Sequence, residues 1–184
     1  MLDNGLKSAL VVIDAQVGPL WGTYQMEQTI AVMQQMIQKA ESRNIPIFYV
    51  QHEEPEGGFL TRGSQFWQFF QGISPGSEDT IIHKQASDSF YETPLKESLE
   101  QKGIQHLVIV GARTEFCVDT TCRSALSHGF HVTLVEDGHT TVDSSLPAES
   151  IIKHHNLNLN AIQTPHASIQ VLPSELANFE NESL

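Results

Sequence analysis

Two rhythms alternate along the chain: short runs of β-branched and other apolar residues, and longer segments whose apolar residues fall three and four positions apart. Residues 8–14 (SALVVID) form the first short run. Residues 26–43 then place Ile30, Met33, Ile37 and Ala40 at helical spacing, which predicts a strand followed by a helix. A second strand is expected at 45–50 (IPIFYV), where Pro46 suits a strand start. The pattern continues with strands at 80–83, 107–110, 131–135 and 161–164, and helices at 94–102, 115–127 and 147–157. Strand and helix alternating in this way predict an α/β fold of three layers, α/β/α, with a six-stranded, mostly parallel sheet. Ligands bind such sheets at the carboxyl ends of their strands. The stretch 51–79 is irregular and carries Phe66, Trp67, Phe69 and Phe70, a composition that suits a site or a subunit contact.

With 184 residues, 40% of them hydrophobic, the chain fills one sizeable core, so residues 1–184 are expected to form a single domain. Ten Lys and Arg against 22 Asp and Glu give a net charge of -12, which repels nucleic acid and anionic membranes and leaves a small molecule as the expected partner. No apolar run approaches the roughly 18 residues of a membrane span, and MLDNGLKSALVVIDAQ lacks the basic start and cleavage site of a signal peptide. A cytoplasmic protein is expected. Cys117 and Cys122 lie five apart in one expected helix, where a disulfide is geometrically awkward, so both are read as free thiols.

Three residues carry chemistry to one edge of the expected sheet: Asp14 ends the first strand, Lys84 follows the third, and Cys117 lies just past the fourth. The helix holding Cys117 is expected to begin at Thr114 as N-cap, with Glu115 in its first turn. A thiol there meets the positive end of the helix, which predicts a depressed pKa, while unpaired N–H groups nearby suit an oxyanion. Cys122 falls on the opposite stripe with Val118, Ala125 and Leu126 and is read as core. A thiol nucleophile needs a base, and a cation stabilises its ionised form; Asp14 and Lys84 supply those groups. Nine histidines raise the question of a metal. His154 and His155 are adjacent and face different ways on a helix, and His52 with Glu53 or Glu54 is the best remaining set, so no metal site is expected. His52, ending the second strand, reads better as a pocket wall or hydrogen-bonding group. Phosphate-binding glycine loops are absent from the sequence, so no cofactor is expected.

VVIDAQ, IIHK followed by SDSFYETPL, and GARTEFCVDTTCRSAL together resemble the isochorismatase-like cysteine hydrolases over nearly the whole chain. The resemblance implies a Rossmann-like isochorismatase fold and hydrolysis of an amide, lactam or ureide-like carbon–nitrogen bond through a thioester. It assigns Cys117 as nucleophile, Asp14 as proton acceptor and donor, and Lys84 as the cation beside the thiol. It also implies an oxyanion hole from the Arg113 and Cys117 N–H groups, with a cis peptide between Ala112 and Arg113. Gln16, Trp21, His52, Glu115 and Phe116 are the candidates for substrate contact, with Gln16 and Glu115 equally suited to ordering the loops of the site, and a homo-oligomer, dimer or tetramer, is expected. Nicotinamidases of the family carry an Asp-x-His metal motif where this chain reads VQHEEPEGG, which argues against nicotinamide as substrate. Isochorismatase-type ether hydrolysis, a redox-responsive thiol and a non-catalytic binding protein are the alternatives on the same fold.

Overall fold

The computed structural model describes residues 6–179; residues 1–5, which bear on the signal-peptide expectation, lie outside them. Its centre is a six-stranded sheet in the order β3-β2-β1-β4-β5-β6, every pair parallel. The strands are β1 (Ser8–Ile13), β2 (Ile47–His52), β3 (Thr80–Lys84), β4 (His106–Ala112), β5 (His131–Thr140) and β6 (Ile169–Leu172). The helices are α1 (Val17–Leu20), α2 (Met26–Glu41), α3 (Leu95–Gln101), α4 (Asp119–Ser127) and α5 (Ala148–Leu159), with a π-helical turn at Thr114–Val118 leading into α4. All six residues of β1 are buried, so both of its faces are covered, and its side chains alternate between two cores. Ala9, Val11 and Ile13 join the α3 and α4 side with Leu95, Leu99, Cys122 and Leu126. Leu10 and Val12 join the α2 side with Met33, Met36 and Ala40. Among the described residues no helix is long and apolar enough to cross a membrane.

From β1 the chain winds outward through β2 to β3, then returns across β1 to β4. The reversal opens a crevice between the carboxyl ends of β1 and β4, where no helix crosses. Gly111 sets how closely these ends approach: it pairs with Ile13 at φ +144°, and a Cβ there would stand 2.1 Å from the Ile13 carbonyl oxygen.

Most expected elements are present with shifted ends, and three differences matter. β2 starts after Pro46 and runs to His52, which places His52 beside Lys84 in register. β5 continues past an irregularity opposite Ile109–Gly111 as far as Thr140, five residues beyond the expected end at 135. The strand expected at 161–164 is replaced by turns, and the closing strand is β6; Thr164 instead accepts and donates bonds within the loop to Ala167. Its apolar pair Ala161–Ile162 follows the last turn of α5, and the pairing run lies in Ile169–Leu172.

Candidate active site

Asp14 is the first residue after β1, and its backbone is left-handed (φ 48°), a conformation Asp adopts more readily than most residues. It is 1% exposed. Lys84 ends β3, two strands away, and its side chain reaches past the end of β2 to set Nζ 2.8 Å from Asp14 Oδ2. From the other side Cys117, in the π-helical turn, brings Sγ to 3.2 Å from the same nitrogen. The three sequence-expected residues are therefore brought together, and Asp14 and Cys117 line a cavity of about 330 Å3 whose wall also includes His52, Ala112, Arg113 and Phe116, while Lys84 is buried behind it. The Ala112–Arg113 peptide is cis. A larger cleft, about 690 Å3, lies by α2 and α5 and contains neither cysteine.

Two further acceptors meet the Lys84 ammonium: the Ala86 carbonyl at 2.9 Å and His52 Nδ1 at 3.2 Å. Burial lowers the Lys84 pKa; the Asp14 carboxylate and the Cys117 sulfur, by charge and hydrogen bond, outweigh it and hold the lysine pKa above its usual value. Burial, then the positive charge of Lys84, lower the His52 pKa against the pull of Asp14, Glu54 and a bond to the Ala86 carbonyl, so the ring is neutral; in the tautomer that carries its proton on Nε2, Nδ1 accepts from the ammonium 3.2 Å away. Asp14, His52 and Cys117 each offer an atom within 4.8 Å of the others, the kind of grouping that holds a metal. The position among them is taken by Lys84 Nζ, so a cation belonging to the chain fills the cage.

Cys117 departs from the expectation of a depressed pKa. Burial pushes its thiol up to about 12, the Asp14 carboxylate adds to the rise, and Lys84 only partly opposes it. The resting sulfur is a thiol. Asp14 Oδ1 beside it has no hydrogen-bond partner and is buried, an acceptor held in reserve. Cys122 is fully buried in the core, as its stripe implied, and both cysteines are unpaired.

The remaining candidates divide. His52 and Phe116 line the cavity, as does Arg113, whose Nε donates to the Pro19 carbonyl. Gln16 does not: it is fully buried and its side chain is used on both sides, Oε1 accepting from the His52 N–H and Nε2 donating to the carbonyls of His52 and Trp67. It clamps the end of β2 to the loop after β1. Trp21 also lies off the wall, tilted against Phe66 with ring centres 5.3 Å apart and the rings at 35°. Glu115 is absent from the wall as well, because the π-helical turn carries Phe116 and Cys117 toward the cavity. The same turn removes Thr114 from the N-cap role: Arg113 precedes the turn without a side-chain cap bond, and Thr114 Oγ1 sits 2.9 Å from Nδ1 of the buried His139.

Sequence reasoning missed Phe59, Leu60, Ser87 and the Ala86 carbonyl. Phe59 and Leu60 belong to the irregular stretch that has no period to read, and the aromatic cluster drew attention to Phe66 instead. Phe66 acts at one remove, stacking on Phe59 at 4.2 Å.

The chain matches the isochorismatase domain model over residues 8–165. It is 33% identical to a secreted isochorismatase effector of Verticillium dahliae over 134 residues, 71% of this chain and 70% of that protein. It is 26% identical to a streptothricin hydrolase of Streptomyces noursei, over 73% of this chain and 55% of that protein. The crystal structure of an isochorismatase from Pseudomonas putida superimposes with a TM-score of 0.84 at 28% identity, covering 92% of this chain and 89% of that one.

Proposed function

The chain belongs to the isochorismatase domain family and is a hydrolase, and from that premise we propose that it cleaves a carbon–nitrogen bond of a small amide, lactam or ureide through a thioester on Cys117. The observation that carries this reading is the buried Asp14–Lys84–Cys117 cluster, with Nζ 2.8 Å from the carboxylate and 3.2 Å from the sulfur.

In the first half-reaction Sγ attacks the carbonyl carbon as its proton passes to Asp14, and Lys84 stabilises the charge on sulfur. The carbonyl oxygen takes up negative charge against the N–H groups of Arg113 and Cys117. Asp14 then gives its proton to the departing nitrogen, the carbon–nitrogen bond breaks and an acyl thioester remains. In the second half, water loses a proton to Asp14 and attacks the thioester; the carbon–sulfur bond breaks, and the thiolate recovers the proton from Asp14. No cofactor enters either half. The cavity wall, with Phe59, Leu60, Phe116 and Pro19 beside the carboxylates of Asp14 and Glu54, suits a substrate with an apolar body.

A redox-responsive thiol is the weaker reading, because peroxide chemistry does not require the Asp14 and Lys84 pair in this form. Two unpaired cysteines fit work in the reducing cytoplasm, and exposed Trp21, Leu157 and Leu176 are the surfaces that a dimer or tetramer would cover.

The test is a panel of small amides, lactams and ureides, each mixed with the protein and quenched for intact-protein mass spectrometry. The expected result is an added acyl mass on Cys117 with release of the amine, and neither in Cys117→Ala. Turnover persisting in Cys117→Ala, or release of an alcohol from vinyl ethers with no amide cleaved, overturns the reading.

A further inference from the structure

Lys84 has more acceptors than protons. A charged ammonium carries three N–H bonds, and four acceptors surround it: Asp14 Oδ2 at 2.8 Å, the Ala86 carbonyl at 2.9 Å, and His52 Nδ1 and Cys117 Sγ both at 3.2 Å. Asp14 and Ala86 hold the two shorter bonds. Charge and carbonyl geometry favour keeping both, so the third N–H is contested between a neutral imidazole nitrogen and the sulfur. A thiol sulfur is a weak acceptor and a thiolate a strong one, so the winner depends on where the thiol proton is.

We propose that His52, protonated on Nε2, is a positioning residue whose Nδ1 holds the third Lys84 N–H while Cys117 is a thiol and yields it to Sγ when the thiolate forms. The proposal rests on the reading that Cys117 is the nucleophile. The exchange is balanced: the thiol proton moves to the Asp14 carboxylate, Lys84 remains an ammonium throughout, and one N–H rotates from Nδ1 to sulfur. His52 therefore keeps the resting site satisfied, with no N–H left aimed at a poor acceptor. It also makes the thiolate pay for its third bond with the loss of another, which sets the resting equilibrium toward the thiol. The groups facing the His52 ring are Lys84 from β3, Asp14 after β1, Glu54 beyond β2 and the Ala86 carbonyl, with Cys117 across the cavity. Of these the ammonium is the group within hydrogen-bond distance of Nδ1, at 3.2 Å.

The ring can be changed without releasing the strand, because Gln16 grips the His52 main chain and not its side chain. The experiment is the rate at which iodoacetamide modifies Cys117 at pH 7, read by peptide mass spectrometry in the wild type, His52→Leu and His52→Asn. It is repeated with methyl methanethiosulfonate as a reagent of different shape. Leu removes the acceptor, so the third N–H stays on sulfur and modification is expected to be about tenfold faster, the effect of one pKa unit. Asn restores an acceptor oxygen near the place of Nδ1 and is expected to return the rate to the wild-type value. A Leu variant no faster than wild type overturns the proposal. So does equal acceleration in Leu and Asn, which would mean only easier access. Modification needs no substrate, so failure to find an acyl-enzyme would remove the hydrolytic reading and leave this result standing or falling by itself.

Discussion

Replacing Lys84 by Met removes the ammonium that stands 2.8 Å from Asp14 and leaves that carboxylate, 1% exposed, without its cation. A buried ion pair contributes little compared with a hydrophobic pair of the same shape, yet breaking one from one side costs about 3–5 kcal/mol, because a charge is stranded away from water. The carbonyl of Ala86 and Nδ1 of His52 lose their donor in the same step. Against a total stability of about 5–15 kcal/mol this is a large fraction. For a chain of this length it corresponds to a fall in Tm of about 6–20 °C. The assay is urea denaturation of the wild type, Lys84→Met, Asp14→Asn and the double variant, followed by circular dichroism. The double variant is expected to recover most of the lost stability, since it strands no charge, while remaining inactive for lack of a base. A Lys84→Met variant destabilised by less than about 1 kcal/mol, or a double variant no better than the single, would refute the argument that these charges are buried together.

Cys117→Ala is expected to abolish turnover, whereas Cys122→Ala keeps it and loses about 1 kcal/mol of stability from a sulfur removed in the core; equal loss of activity in two folded variants would remove the nucleophile assignment. Phe116→Ala is expected to raise KM about tenfold with kcat little changed, since an exposed ring on the cavity wall binds ground and transition states alike; a fall in kcat alone would refute this. Burial lowers the pKa of His106 and of His139 to about 4, so both rings are neutral in the fold and the unfolded chain binds the extra protons. Their contribution is therefore full above about pH 6.5 and is lost as pH falls toward about 4, about 3 kcal/mol for each; a urea midpoint that does not decline between pH 7 and 4 would contradict it.

The strand and helix periods, together with the rule for carboxyl ends, were enough to bring Asp14, Lys84 and Cys117 to one edge, because those residues sit at element ends that a hydrophobic run marks. Their neighbours were less legible, for two reasons. Gln16 follows Asp14 in a motif that suits either ordering the loops or meeting substrate, and its partners, main-chain groups of His52 and Trp67 that have no signature in side-chain identity, decide for the first. The turn holding Cys117 is π-helical, so counting positions by an α-helical period put Thr114 at the cap, when its hydroxyl in fact meets His139 on an extension of β5 that the pattern ended at residue 135. His139 lies past the polar pair Glu136–Asp137, which breaks the apolar run while pairing continues beyond it.

The raised Cys117 pKa follows from the same buried arrangement and alters what the pH dependence of catalysis should be. One carboxylate, one ammonium and one thiol lie together with a net charge of zero. Loss of the thiol proton to solvent would leave two anions beside a single cation, which is why burial and Asp14 together push the pKa up to about 12. Transfer of the same proton to Asp14 creates no net charge at all: the anion moves from oxygen to sulfur and Lys84 touches both. The second route avoids the penalty that sets the first, so a high pKa for release to water does not limit an attack in which the proton travels with the nucleophile's approach. Hydrolysis with ionisable groups absent from the substrate is accordingly expected to have a kcat/KM that is nearly level from pH 6 to 9. A rate climbing about tenfold per pH unit across that range would mean that the thiol ionises to solvent before attack, and Asp14 would lose its place as the proton acceptor.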